Sequence, residues 1–198
     1  MKTLVTERLV IRRMTVNTTD VEFMLQLLND PSWIRFIGDR GVRTVEDARQ
    51  YIAKGPLSMY DRLGYGHCIV ELREARCALG ICGLTKRDYL DCPDMGFAFL
   101  PRYWGQGFAL EAASAILRYA TGVLCMPHIV ATTRLDNFSS QALLGKLGFQ
   151  FERTFRHPDG DRDLQLYSAL SIRTLPVSPA CAMPPPLSPS PAQTNGPP

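Results

Sequence analysis

The chain opens with alternating apolar and charged positions. In residues 6–14 apolar side chains alternate with arginines, which is typical of a strand with one face exposed to water. Residues 20–29 change to helical spacing, and Thr19 followed by Glu22 has the form of a capping box. The pattern predicts a strand and then a capped helix, which stops before Pro31.

A second helix is predicted to begin at Thr44, where Asp47 completes another capping box, and to end at the Gly55-Pro56 pair. The segment between the two helices, residues 32–42, combines loop-forming residues with large apolar side chains. The default interpretation of those side chains is core packing.

Strand and helix patterns alternate through the rest of the chain. A hairpin is followed by a central strand, a long helix, another strand, another helix and a closing hairpin whose tip is expected to flank a substrate. These elements are predicted over residues 64–72, 78–84, 95–101, 109–121, 128–134, 137–147, 150–156 and 162–168.

Length and composition limit the class of protein. A chain of 198 residues with 45% hydrophobic residues suits one domain, and a net charge of +3 without a dense basic block disfavours a nucleic-acid partner. The absence of a long apolar run or a signal-peptide pattern predicts a cytoplasmic protein without a membrane partner. After Arg173 the chain is uncharged and rich in proline. We therefore expect a folded domain over residues 1–172 and a disordered tail over residues 173–198.

The six cysteines and three histidines offer no metal-binding pattern. No two cysteines have C-x-x-C spacing, and no histidine lies at zinc-ligand spacing. The sequence predicts reduced thiols and no bound metal.

The stretch Arg102–Ala109, RYWGQGFA, lies between a predicted strand and a predicted helix. Gly105 and Gly107 let the backbone approach a ligand closely, and the first helical turn leaves N–H groups without intrahelical partners. The positive end of the helix dipole favours an anion, and the side chains of Arg102 and Gln106 add possible donors. The stretch is predicted to bind phosphate.

Two familiar phosphate loops do not match this stretch. A Walker loop needs Lys and then Ser or Thr after its second glycine, and a dinucleotide fingerprint needs a third glycine. What does match is the motif R/Q-x-x-G-x-G/A. With DMGFAFLP before it and NFSSQALLGKLGF after it, the chain resembles the GNAT superfamily of acyl-CoA N-acyltransferases, in its RimJ/RimL branch of ribosomal-protein N-terminal acetyltransferases. The resemblance covers residues 6–170.

The resemblance implies an α+β fold, with a mixed, mostly antiparallel central sheet of six or seven strands flanked by about four helices. It also implies acetyl-CoA as co-substrate, with its diphosphate on Gly105–Ala109 and its pantetheine arm along the central strand. The predicted cofactor-binding residues are Phe97, Ala98, Phe99, Leu100, Arg102, Gly105, Gln106, Gly107, Phe108, Ala109 and Asn137.

The catalytic groups are also implied by the resemblance. Relatives carry an acid in an E/D-I-G-Y/F context, matched here by Asp94-Met95-Gly96-Phe97, so Asp94 is the expected base; the alternative is a solvated loop carboxylate. Many GNAT enzymes protonate the leaving thiolate with a tyrosine, whose aligned position here is Leu144. Ser140 or a water molecule would replace that acid.

The acceptor must be a neutral amine. At pH 7 an α-amine with a pKa of about 7.8 is roughly 15% neutral, whereas a lysine with a pKa of about 10.4 is about 0.04% neutral, so a weak base suffices for an N-terminus. The leading hypothesis is a peptide or protein α-amine. The alternatives are a small amine, such as an amino acid, polyamine or antibiotic, and a CoA-binding regulator without turnover. In the family, residues 32–42 border the acceptor, so Trp33 and Phe36 either pack in the core or line its slot. Both a monomer and a homodimer remain open.

Overall fold

The computed structural model describes residues 2–160 and 162–169. Eight strands in this part of the chain form one sheet. The strands are β1 (Leu4–Val5), β2 (Leu9–Arg13), β3 (His67–Leu72), β4 (Ala78–Thr85), β5 (Asp94–Phe99), β6 (Ile129–Arg134), β7 (Phe149–Arg156) and β8 (Asp163–Ala169). Their order across the sheet is β1-β2-β3-β4-β5-β6-β8-β7. All neighbours are antiparallel except β5 and β6, which are parallel.

Six α-helices lie among the described residues. They are α1 (Thr18–Leu28), α2 (Pro31–Phe36), α3 (Val45–Ile52), α4 (Ser58–Leu63), α5 (Phe108–Gly122) and α6 (Phe138–Lys146). Helix α5 packs against β2, β4 and β5 and buries a row of small side chains, Ala112, Ala113 and Ala120, which lets it lie close to the sheet.

The mixed, mostly antiparallel α+β sheet is as predicted, with eight strands instead of six or seven and six helices instead of four. The difference comes from short elements. Strand β1 has two residues and helices α2 and α4 have six each, which is too short for a periodic apolar pattern to appear.

Two predicted helix starts are confirmed and one is wrong. Thr44 and Asp47 form the expected capping box at the start of α3, and Asn137 caps α6. Helix α1, by contrast, begins two residues earlier than the pattern of Thr19 and Glu22 indicates, because the Asn17 side chain accepts the Asp20 N–H at 2.8 Å.

The segment predicted as a loop between the first two helices contains α2. Asp30 caps it by accepting the Ser32 N–H, and Pro31 occupies the first helical position, where a missing N–H costs nothing. Pro31, which is predicted to stop the first helix, also starts α2.

The predicted helix end at Gly55-Pro56 is wrong. The chain passes from α3 to α4 through a π-helical segment, Ala53–Leu57, with Pro56 inside it. The wider π-helical turn accommodates Pro56, which has no N–H to donate, so the helix continues through the proline. The composite helix ends at Gly64, in the left-handed region.

A buried ion pair anchors α1 to the sheet. Asp20 is 1% exposed and accepts hydrogen bonds from Arg12 at 2.6 and 2.9 Å, while Arg12 also contacts Glu71 of β3. Arg12, expected on the exposed face of the first strand, therefore connects three elements. The Arg12 bonds, together with those from Thr15, outweigh burial and hold the pKa of Asp20 below its usual value.

The proposed boundary at residues 172 and 173, and the tail beyond it, lie outside the described residues. Within them, no helix combines the length and apolar character needed to cross a membrane.

Candidate active site

The sheet opens between β5 and β6. These strands pair at one position, Asp94 with Val130. Two residues further along β6, the Thr132 N–H donates to the Asp94 carboxylate at 3.1 Å. If the parallel ladder continued, this N–H would instead donate to the Met95 carbonyl. The carboxylate ends the ladder, and the two strands diverge beyond it.

Asp94 is buried at the base of this opening. It is 2% exposed and forms an ion pair with Arg87, whose Nε lies 3.0 Å from Oδ2. Burial raises the pKa of Asp94 to about 6, although the Arg87 charge and the Thr132 N–H act in the opposite direction. The group is therefore mostly ionised at pH 7 and can still take up a proton.

A neutral imidazole, that of His67, packs against Gly96 of β5. A Cβ atom on Gly96 would lie 2.5 Å from His67 Nε2, so the ring fits only because residue 96 is glycine. Burial, with a smaller contribution from the Arg87 charge, lowers the pKa of His67 to about 4. The imidazole adds no positive charge to the opening at neutral pH.

The free edge of β5 presents backbone groups to the opening. The Leu100 N–H donates to the Leu79 carbonyl of β4, and hydrogen-bonded pairs alternate along an antiparallel ladder. Phe97 and Phe99 therefore direct their N–H and C=O groups away from β4. Consistent with this, the Phe99 carbonyl accepts the Trp104 indole N–H at 2.7 Å.

The predicted phosphate turn follows β5. Gly105 and Gly107 have φ of +72° and +81°, in the left-handed region, and a Cβ on Gly105 would meet open space. Within residues 2–160 and 162–169 no side chain caps α5, so the N–H groups of its first turn are available to a ligand.

Arg8 braces this turn from the N-terminal side. Its side chain donates to the Gln106 carbonyl at 3.0 Å and pairs with Glu111 at 2.7 Å, and Glu111 also accepts the Thr6 hydroxyl at 2.6 Å. Arg8 also lies 4.6 Å from the centre of the Phe108 ring. Glu111 is thus a structural partner of Arg8 and Thr6.

Helix α6 forms another wall of the opening. The Asn137 side chain accepts the Ser140 N–H at 3.1 Å, so Asn137 caps the helix as well as lining the cleft. Ser140 is half-buried, and Leu144, at the position of the missing tyrosine, is 1% exposed. Both residues line the same cleft.

The opening continues into a cleft of about 1100 Å³ that brings most of the predicted site residues together. The predicted residues on its wall are Trp33, Phe36, Asp94, Phe97, Ala98, Phe99, Gly105, Gly107, Phe108, Ala109, Asn137 and Ser140. Leu100, Arg102 and Gln106 do not line it. Leu100 is buried, Arg102 stacks on Tyr103 at 4.9 Å, and the Gln106 amide donates to the Arg102 carbonyl at 2.9 Å.

The positions of Trp33 and Phe36 are compatible with both interpretations of their segment. Trp33 is 5% exposed and Phe36 is half-buried, so both pack, and both also line the cleft.

Several cleft residues give no sequence signal. Arg87 stands seven positions before Asp94 in an irregular loop, and His67 reaches Gly96 across two strand pairings. Neither contact follows from periodicity. The one available signal is the closing hairpin, whose predicted tip near the substrate does supply cleft residues, His157 and Arg162. No cluster of metal-ligating side chains occurs within residues 2–160 and 162–169.

Comparison with known proteins gives concordant similarities. The family model described as acetyltransferase (GNAT) domain matches residues 8–150. The chain is 30% identical over 158 residues to the uncharacterized N-acetyltransferase p20 of Bacillus licheniformis, covering 79% of this chain and 86% of that protein. The crystal structure of a GNAT-family acetyltransferase from Bacillus anthracis has 26% identity and a TM-score of 0.70, covering 85% and 98% of the two chains. RimL, a ribosomal alpha-N-protein acetyltransferase solved with coenzyme A, has 18% identity and a TM-score of 0.72, covering 85% and 97%.

Proposed function

The chain belongs to the GNAT family of acetyltransferases and is an acyl-CoA-dependent N-acyltransferase, and from this premise we propose that it acetylates the α-amine of a peptide or protein N-terminus. This acceptor is the one implied by the resemblance to the RimJ/RimL branch. The co-substrate is acetyl-CoA, as is general in the family.

The observation that carries the proposal is the environment of Asp94. A carboxylate with a pKa of about 6 is a weak base. It is adequate for an amine with a pKa of about 7.8, of which a useful fraction is already neutral at pH 7, and poorly matched to a lysine or polyamine amine with a pKa of about 10.4.

The reaction is direct transfer in a ternary complex. The amine nitrogen attacks the thioester carbonyl carbon, and the N–H groups of Phe97 and Phe99 on the free edge of β5 stabilise the developing oxyanion. Asp94 takes the amine proton through one water molecule. The C–S bond then breaks, and Ser140 or water protonates the thiolate, so no covalent enzyme intermediate forms.

The length of β5 suits this arrangement. The strand has six residues from Asp94 to Phe99, about 17 Å of extended chain, and the phosphate turn lies beyond Phe99. In the proposal the diphosphate binds the amides of Gly105–Ala109, the pantetheine arm follows β5 with Asn137 on its other side, and the thioester reaches toward Asp94. Trp33 and Phe36 then face the acceptor.

Arg102 and Gln106 can contribute donors beside the turn. The Gln106 amide uses one of its two N–H groups on the Arg102 carbonyl, and the Arg102 guanidinium lies on the Tyr103 ring, so donation to the diphosphate does not require either contact to break.

The experiment supplies acetyl-CoA with a peptide that carries a free α-amine and one internal lysine, beside the same peptide with a blocked N-terminus. We expect thiol release with the first peptide only, and mass spectrometry should place the acetyl group on the α-amine. Acetylation of the lysine would contradict the proposed acceptor. Absence of thiol release with any peptide or small amine would contradict turnover and favour a CoA-binding regulator.

A further inference from the structure

Three segments that are distant in sequence converge on the cleft beside Asp94. The Tyr89 ring contacts the His157 ring, with centroids 5.1 Å apart, which joins the loop after β4 to the β7–β8 turn. The Arg162 guanidinium lies against Gly38, where a Cβ would be 3.2 Å from its Nη1. This contact joins the same turn to the segment after α2.

Each of these segments contributes one arginine to the cleft. Arg40 follows α2, Arg87 follows β4 and Arg162 precedes β8, and all three line the cleft with Tyr89. All three charges act to lower the pKa of the Tyr89 phenol, against burial, which raises it. All three arginines therefore lie near Tyr89 in the cleft.

Cationic side chains outnumber acids on the cleft wall. The wall carries six cationic side chains, Arg40, Lys54, Arg87, Arg134, Lys146 and Arg162, and two acids, Asp47 and Asp94. Asp47 caps α3, Asp94 pairs with Arg87, and Arg134 pairs with Asp136, which lies outside the wall. Among the described residues Arg40 forms no ion pair, whereas Arg43, three positions on, pairs with Asp39.

Trp33 adds an independent observation. Its indole Nε1 is the buried side-chain polar atom without a hydrogen-bond partner in the described part of the chain, and Trp33 lines the same cleft. The Gly38 N–H donates to the Trp33 carbonyl at 3.1 Å, so the chain between Trp33 and Arg40 folds back on itself. A buried donor left without an acceptor destabilises the protein, and an acceptor atom on a ligand would remove this cost.

Building on the proposed function, we infer that the cleft beside Asp94 contains an anion subsite, formed by Arg40, Arg162 and the Trp33 indole, that binds a carboxylate of the acceptor close to its α-amine. Two kinds of acceptor carry this chemistry: a peptide whose second residue is acidic and a free amino acid. The subsite disfavours polyamines, because it would place their positive charges beside the charge of Arg40.

The test uses acceptors in matched pairs at saturating acetyl-CoA. One pair is two C-terminally amidated peptides, Ala-Asp-Gly-Gly and Ala-Asn-Gly-Gly; the other is alanine and alaninamide; spermidine is the polycation. We expect kcat/KM at least tenfold higher for the carboxylate member of one pair, mainly through KM, and no measurable rate with spermidine. The favoured pair identifies the source of the carboxylate.

Variants locate the subsite. Arg40→Gln should lower the ratio of kcat/KM between the carboxylate member and the neutral member about tenfold, whereas Arg43→Gln, whose arginine is outside the cleft, should leave this ratio at its wild-type value. Equal kcat/KM within both pairs, or a preference that Arg40→Gln leaves intact, would overturn the subsite while the proposed function stands.

Binding separates the subsite from turnover. Calorimetric titration of the same acceptors into the CoA-bound protein measures carboxylate preference without chemistry. If no acceptor releases thiol, the proposed function is wrong. The subsite is then supported if the Asp peptide or alanine binds at least tenfold tighter than its neutral partner, and refuted if neither does.

Discussion

At the scale of single residues, Asp94 has two roles that favour opposite environments. Its carboxylate ends the β5–β6 ladder by accepting the Thr132 N–H, and this hydrogen bond favours the ionised form. Its burial favours the protonated form. Arg87 prevents burial from neutralising the group, since their ion pair favours ionisation. The balance leaves a base that can accept a proton near neutral pH.

The pH dependence of the reaction should show this base. Both Asp94 and the amine must be deprotonated, so log kcat/KM should rise with a slope of about 2 below pH 6 and a slope of about 1 between pH 6 and the amine pKa of about 8. Asp94→Asn should lower kcat about 100-fold and leave a single slope of about 1. Initial rates from pH 5 to 9 measure both effects.

The exposed Asp88, in the same loop, provides the control. Asp88→Asn should keep the wild-type profile. An Asp94→Asn protein that still shows two slopes, with normal acetyl-CoA affinity, would exclude Asp94 as the base.

His67 should reduce stability in acid. Its pKa is about 4 in the folded protein and about 6.5 unfolded, so the unfolded chain takes up the proton first. This stabilising contribution is fully present above pH 6.5 and is lost as the pH falls toward 4, by at most about 3 kcal/mol. Urea unfolding from pH 7 to 4.5 should therefore show a smaller loss of stability for His67→Gln than for wild type. The exposed His128, changed to Gln, should behave as wild type; identical curves for all three proteins would refute the assignment.

At the scale of elements, the phosphate turn is a strand-to-helix connection held in one shape from outside. Two glycines at positive φ turn the chain, and Arg8, beside the second strand, fixes the Gln106 carbonyl and the first turn of α5. The N–H groups of α5 are thereby oriented before any ligand arrives.

Gly105→Ala should separate binding from backbone strain. The new Cβ meets no atom, so the folded state loses about 1 kcal/mol from the positive φ, but the methyl group enters the space proposed for the diphosphate. We expect at least tenfold weaker acetyl-CoA binding by calorimetry. Gly64→Ala, at φ +76° in open space outside the cleft, should lose similar stability and no affinity. Equal affinity in both variants would place the diphosphate elsewhere.

Elements with local determinants could be predicted from the sequence. The capping box of Thr44 and Asp47 acts within four residues, and it formed as expected. Where two local signals compete, the sequence does not rank them: Asn17 caps α1 ahead of Thr19, and Pro56 enters a π-helical segment instead of ending a helix. Contacts such as Arg87 with Asp94 depend on the path of an irregular loop, which no periodicity encodes.

At the scale of the whole molecule, one sheet is divided into two parts at Asp94. Strands β1 to β5 form one part and β6, β8 and β7 the other, and the cleft lies where they part. The parallel pairing that makes the opening possible is the only one among the described strands. The family motifs therefore identify the residues, and the sheet topology brings them together.

The tail should be dispensable for folding and transfer. Residues 173–198 contain no charged side chain after Arg173 and many prolines, a composition that cannot supply a core. A variant ending at residue 172 should keep its thermal midpoint and its kcat/KM for acetyl transfer within twofold. A lower midpoint or a larger loss of kcat/KM would show that the boundary of the domain lies further along the chain.

In the proposed arrangement the base, Asp94, lies at the first residue of β5, and the diphosphate of coenzyme A binds beyond the last residue. A crystal structure of the protein with coenzyme A measures this directly. We predict diphosphate oxygens within about 3.2 Å of N–H groups of Gly105–Ala109 and the sulfur in the opening between β5 and β6, on the side of Asp94. A diphosphate bound away from the first turn of α5, or a sulfur directed away from Asp94, would contradict the account.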